Sequence, residues 1–212
     1  MLIYSTMELL LVRHALPVRR EVVEGPADPE LSDIGLAQAK RLGEYLAAEE
    51  IAAVYSSPLL RARQTAQPVA DAHVLEILTA DGVAEYDRNA NWYVPIEELR
   101  ATNDERWQAL ARGEWHGDEA EEDFHARVLD DIERIIRTHP NERVAVVCHG
   151  GVINSYLAHV LGTARRRGFF YPAYTGISRV AASSEGRRSI VSINETAHLR
   201  GTGLPMGLMQ RS

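Results

Sequence analysis

Short apolar runs alternate along the chain with stretches in which hydrophobic residues recur at helical spacing. Leu9-Leu10-Leu11-Val12 is a continuous run, as expected for a strand buried on both faces. Ala52-Ala53-Val54-Tyr55 predicts a second buried strand ending at Ser56-Ser57-Pro58, and Val74-Leu75-Glu76-Ile77 a third. Arg143-Val144-Ala145-Val146-Val147-Cys148 is the strongest of all and runs into His149-Gly150-Gly151. Between these lie helical patterns. Ser32 is a good N-cap for a helix whose apolar face reads Ile34, Leu36, Ala39, Leu42, Tyr45 and Leu46. A second helix is predicted from Leu59 towards Ala66, limited near Pro68. An amphipathic helix is expected over residues 119–138, and another over residues 152–161. Residues 177–182 and 189–194 alternate as a strand pair joined by Ser184-Glu185-Gly186. The least regular part, residues 83–117, reads as an insertion with some helix near residues 97–111, and the last dozen residues read as loose.

Strands alternating with helices predict an α/β fold, a three-layer α/β/α sandwich with a mostly parallel central sheet. It is expected as one domain over residues 1–212, with a lid-like insertion at about 83–117. Ligands of such sheets sit at the carboxyl ends of the strands. Arg13 and His14 follow the first strand, Arg61 the second, and His149 the strongest, so three strand ends deliver guanidinium and imidazole groups to one edge. That set suits a phosphoryl group. Arginine binds phosphate oxygens as a charged planar fork. A neutral imidazole can attack phosphorus, and a carboxylic acid is then needed to protonate the leaving alkoxide and later to activate water.

Composition narrows the field. A content of 45% hydrophobic and 25% charged residues suits a folded domain. The net charge of −7 argues against nucleic acid as a partner, while a locally basic pocket still admits a small anion. The single cysteine, Cys148, cannot form an internal disulfide. It also lacks the Cys-x5-Arg loop of a thiol phosphatase, since the sixth residue after it is Asn154. The run at residues 8–12 is too short for a signal sequence, and no stretch approaches the ~18 apolar residues of a membrane helix. A cytoplasmic protein without a membrane partner is expected. Accordingly, the sequon Asn194-Glu195-Thr196 is read as chance. His116, His125 and His139 lack zinc-ligand spacing, the glycines at 201, 203 and 207 lack dinucleotide spacing, and Arg165-Arg166-Arg167 reads as a solvated cluster. The aromatic residues of the insertion read as packing, with Trp92 or Tyr93 as candidates to roof a pocket.

Five motifs in order carry a resemblance. Leu11-Val12-Arg13-His14 resembles the opening motif of the histidine phosphatase superfamily, which includes the cofactor-dependent phosphoglycerate mutases. Leu31-Ser32-x-x-Gly35-x-x-Gln38-Ala39 is similar to that family's first helix, and Ser56-Ser57-Pro58-Leu59-x-Arg61-Ala62-x-Gln64-Thr65-Ala66 to its second arginine motif. Val147-Cys148-His149-Gly150-Gly151 resembles its second histidine motif, and Asn194-x-Thr196-x-His198-Leu199 its last strand. The resemblance implies a phosphoglycerate mutase-like fold and the phosphatase branch. It makes His14 the phosphorylated nucleophile, Arg13, Arg61 and His149 the phosphate pocket, and Glu85 the general acid. His149 would also stabilise charge on the transferring group.

The implied enzyme is a histidine acid phosphatase-type phosphomonoesterase, without metal or cofactor, acting on a small phosphorylated metabolite. Phosphoglycerate mutase-type phosphotransfer and a non-catalytic phosphate-ligand binding module are the alternatives. Three departures from the pattern stand out. Ala15 replaces the usual glycine after the nucleophile. Leu16-Pro17-Val18-Arg19-Arg20 replaces a Glu-Ser/Thr-x-x-Asn segment, which makes Arg20, with Gly150, a candidate substrate contact. Glu85 is followed by Tyr86-Asp87-Arg88 rather than the mutase continuation, so Asp81 and Asp87 stand as its rivals. Neither the substrate nor the oligomeric state, a homodimer included, is legible.

Overall fold

The first apolar run becomes β1 (Thr6–Arg13) at the heart of a sheet, in a computed structural model that describes residues 6–115, 117, 119–164 and 168–207. On one side β1 pairs in parallel with β6 (Arg143–Cys148), which pairs in parallel with β3 (Ala53–Ser56), and β3 with β4 (Ile77–Thr79). On the other side β7 (Ile177–Ser183) runs antiparallel to β1, and β8 (Arg188–Glu195) closes the edge. The order is β4-β3-β6-β1-β7-β8, a mostly parallel sheet.

Strand alternation sends successive side chains to opposite faces. Leu9, Leu11, Val144 and Val146 pack against Val128, Ile132 and Ile135 of α5 (Glu121–Thr138) and Val152 and Tyr156 of α6 (Gly150–Leu161). Leu10, Val12, Ala145 and Val147 pack against Leu42 and Leu46 of α1 (Asp33–Leu46) and Ala62, Ala66 and Val69 of α2 (Leu60–His73). Both faces are covered, which is why the runs are continuously apolar. The α/β/α layering is as predicted.

Several local expectations are corrected. The buried face of α1 is Gly35, Gln38, Ala39, Leu42, Gly43 and Leu46, whereas Ile34, Leu36 and Tyr45 are exposed. Small residues turn inward because α2 lies close: a β-carbon on Gly43 would sit 2.7 Å from the Pro68 carbonyl oxygen. Pro68 does not end α2, which continues to His73. Burial of Val69 and Ala70 beyond it outweighs one missing N–H. Val74 is then the left-handed cap of α2 at φ 55° and 94% exposed, which delays β4 to Ile77. The single stretch of helix expected near residues 97–111 is two helices, α3 (Ile96–Ala101) and α4 (Glu105–Arg112). Asn103 turns the chain at φ 50°, and Asp104 caps α4 by accepting from the Arg106 N–H at 2.9 Å.

A two-stranded ribbon, β5 (Trp92–Tyr93) on β2 (Arg20–Glu21), ties the 83–117 segment to the loop after β1. The C-terminal stretch is held rather than loose as far as Met206. Gln38 donates to the Pro205 carbonyl at 2.6 Å, and the Met206 carbonyl accepts from the Tyr174 N–H at 3.1 Å. His116 and the arginines at 165–167 lie outside the described residues. No described helix is long and apolar enough to cross a membrane.

Candidate active site

Parallel neighbours end on the same edge, so β3, β6 and β1 release their chains side by side. The register continues past the strands: the His14 N–H donates to the Cys148 carbonyl and the Ser57 N–H to the Val147 carbonyl, each at 2.9 Å. Arg13 and His14 therefore stand beside His149, and the turn through Ser57 carries Arg61 onto the first turn of α2. All four side chains are buried, at 8%, 3%, 2% and 0% exposure for Arg13, His14, Arg61 and His149. The two imidazole rings lie 5.1 Å apart between centroids.

The tautomer of His14 follows from its partner. Nδ1 lies 2.8 Å from the Ala15 carbonyl, which can only accept, so Nδ1 carries the hydrogen and Nε2 the lone pair. Burial, with the charges of Arg61 and Arg13, holds this imidazole well below its usual range and keeps it neutral. His149 is pushed down in the same way by burial and by Arg61. Its Nε2 lies 2.8 Å from Ser57 Oγ, and that oxygen accepts from the Leu59 N–H at 3.3 Å. If Ser57 donates onward to Nε2, the hydrogen of His149 resides on Nδ1. That Nδ1, together with Arg13 Nε and Arg61 Nε, is buried without a hydrogen-bond partner. Buried donors left unpaired are costly. Three such nitrogens lie on three neighbouring cationic or imidazole residues.

Aromatic rings hold the guanidinium groups. Arg13 lies 4.2 Å from the Tyr174 ring centroid and donates to the Pro172 carbonyl at 2.7 Å. Arg61 lies 4.7 Å from the Tyr93 ring and 3.4 Å from Asp87. Tyr93 also meets His14 edge-on at 6.3 Å, so of the two roof candidates it is the one over the site. Trp92 instead lies under Arg106.

Glu85 is buried beside the N-terminus of α6. Its Oε2 accepts from the Gly151 N–H at 2.9 Å and its Oε1 from the Tyr86 N–H at 3.3 Å. A β-carbon at position 151 would fall 2.3 Å from Oε1, so only glycine admits the carboxyl there. Burial, then the charge of Asp87, raises Glu85 to about 7, against the pull of the Gly151 N–H and Arg61. Of its rivals, Asp87 lines the same cleft but pairs with Arg61, and Asp81 is exposed on a short 3-10 turn away from it.

The remaining motif residues build the frame. Gln38 accepts from the Leu16 N–H at 2.8 Å, Gln64 from the Leu31 N–H at 2.7 Å, and Thr65 from the Ala15 N–H at 2.9 Å, fixing the loop after His14. Gly35 is needed because a β-carbon there would sit 2.1 Å from the Leu16 carbonyl oxygen. Ala15 packs its methyl with Leu31 and Ala39, which accounts for its presence. Asn194, at φ 58°, accepts from the Ala173 N–H at 2.7 Å and donates to the Tyr171 carbonyl at 3.3 Å, pinning the segment that supplies Pro172 and Tyr174.

Arg20 is not among the residues that line the cleft and pairs with Glu30 at 2.6 Å, both side chains about 40% exposed, whereas Gly150 lines the cleft with open space around it. Cys148 is buried, and burial pushes its thiol far up. Pro172 and Tyr174 had no signal of their own, Tyr174 being far from Arg13 in sequence, while Ser57 was visible only as part of the second arginine motif and Tyr93 only as a roof candidate.

The sequence matches the histidine phosphatase superfamily (branch 1) over residues 9–196. It is 31% identical over 201 residues to phosphoserine phosphatase 1 of Hydrogenobacter thermophilus, covering 91% of this chain and 94% of that protein. With phosphoglycerate mutase-like protein 4 of Arabidopsis thaliana it shares 32% over 168 residues, covering 75% of this chain and 73% of the relative. The fold superposes on a phosphoserine phosphatase from Entamoeba histolytica bound to phosphoserine. The TM-score is 0.70 at 22% identity, with 91% of this chain and 99% of that chain covered. The chain belongs to branch 1 of the histidine phosphatase superfamily.

Proposed function

We propose that the protein hydrolyses phosphomonoesters in two steps through a phosphohistidine on Nε2 of His14. In the first step the Nε2 lone pair attacks phosphorus, the ester P–O bond breaks, and Glu85 gives its proton to the departing alkoxide. In the second, the Glu85 carboxylate takes a proton from water, whose oxygen attacks phosphorus. The N–P bond then breaks and inorganic phosphate leaves. Arg13, Arg61 and the Nδ1–H of His149 bind the phosphoryl oxygens, and the N-terminus of α6 at Gly150 adds a favourable dipole.

The observation that carries this reading is that Nε of Arg13, Nε of Arg61 and Nδ1 of His149 are buried without a hydrogen-bond partner, on residues that neighbour an imidazole whose Nδ1 hydrogen faces the Ala15 carbonyl. The carboxyl raised to about 7 supports it, because such a group supplies both acid and base near neutrality. Two guanidinium groups supply the positive charge, so the reaction needs no metal. The named relatives make a small phosphorylated metabolite of the phosphoserine kind a reasonable starting substrate. The test is turnover of an aryl phosphate. His14→Ala abolishes it, EDTA leaves it unchanged, and acid quenching of the wild type traps an acid-labile phosphoprotein. Full activity in His14→Ala overturns the proposal.

A further inference from the structure

The cleft continues well beyond the phosphate pocket, to a volume of about 1230 Å³, against roughly 300–1,000 Å³ for ordinary small-molecule sites. Its apolar lining includes Ile96 and Leu99 of α3, Trp107 and Leu110 of α4, and Phe170 and Tyr171. The Phe170-Tyr171 wall is preformed: Asn154 donates to the Phe170 carbonyl at 3.3 Å, and Asn194 to that of Tyr171 at 3.3 Å. A phosphorylated hydroxy-amino acid held at Arg13 and Arg61 would occupy only the inner end.

The described arginines of the cleft outside the phosphate pocket each already have a carboxylate partner, Arg106 with Asp104 at 2.8 Å and Arg112 with Glu114. The apolar lining favours a large uncharged group.

We infer that the preferred substrates are phosphomonoesters of bulky alcohols bearing an aromatic or aliphatic group, which packs between α4 and the Phe170-Tyr171 wall. This rests on the phosphatase reading above and adds the class of alcohol. The test compares O-phosphoserine, benzyl phosphate and 2-naphthylmethyl phosphate, all esters of primary alcohols, so that leaving-group chemistry varies little. The expected kcat/KM for the naphthylmethyl ester exceeds that for phosphoserine at least tenfold, with benzyl phosphate between. Leu110→Glu and Trp107→Ala each reduce that preference about tenfold, through KM rather than kcat. Equal or better use of phosphoserine would overturn the inference and direct attention to the arginines at 165–167. Equal losses on all three esters in both variants would overturn it too. Calorimetry on His14→Ala protein separates the two readings. If no ester is turned over, tighter binding of the naphthylmethyl ester there still upholds the cleft assignment, and binding without that order ends it.

Discussion

Gly151→Ala moves the proposed general acid without changing its chemistry. Backbone conformation does not oppose the substitution, since Gly151 lies in α6 outside the left-handed region, where alanine is favoured over glycine by roughly 0.5–1 kcal/mol. The obstacle is the Glu85 side chain. The new β-carbon would lie 2.3 Å from Oε1 and 3.0 Å from Cδ, whereas ordinary contact begins at 3.4 Å. The carboxyl must therefore withdraw by about 1 Å, and it gives up the 2.9 Å bond from the residue 151 N–H as it goes. A misplacement of about 1 Å costs on the order of 10²-fold in rate, or about 2.7 kcal/mol. The loss should depend on the leaving group. An alkoxide needs the proton, whereas 4-nitrophenolate departs without it. Rapid-quench measurement of phosphohistidine formation isolates this step from hydrolysis of the intermediate. Transfer from benzyl phosphate is expected to fall about 100-fold, and from 4-nitrophenyl phosphate by less than about fivefold. Equal effects on the two esters, or none on either, would refute the assignment of Glu85.

Other outcomes follow from the same geometry. For Ser57→Ala, loss of the 2.8 Å contact frees the His149 tautomer, and kcat is expected to drop about tenfold with a changed pH profile; an unaltered profile would remove Ser57 from the site. Glu85, raised to about 7, should give kcat/KM for alkyl esters an alkaline limb near that pH, absent from the residual activity of Glu85→Gln. The same shift has a stability sign. The folded state holds the proton more tightly than the unfolded one, so the contribution is complete below the unfolded carboxyl range and is lost as pH rises through about 7. The wild type should thus lose on the order of 3 kcal/mol relative to Glu85→Gln between pH 4 and pH 8, read from urea unfolding at each pH. Gly43→Ala should destabilise by about 1–3 kcal/mol, because its β-carbon would meet the Pro68 carbonyl oxygen at 2.7 Å and backbone cannot swing aside. A thermal midpoint equal to that of the wild type would contradict the close α1–α2 packing.

The layered fold and the meeting of Arg13, His14, Arg61 and His149 were legible because both rest on short-range rules. A strand covered on both faces must be continuously apolar, and parallel strands finish on one edge, so whatever follows β1, β3 and β6 becomes neighbours. What escaped the sequence depended on distant surfaces. Pro68 stays helical because α1 and the sheet bury the residues on either side of it. Ile34 and Leu36 face outward because Gly35 must lie on the Leu16 backbone. Glu85, Asp81 and Asp87 are alike as letters. Only the docking of the 81–87 turn on Arg127 and Asp131 of α5 and on the start of α6 buries the first, leaves the second in water and pairs the third with Arg61. A carboxyl's proton affinity is set by that surrounding, by desolvation and nearby charge, neither of which is written in the chain order.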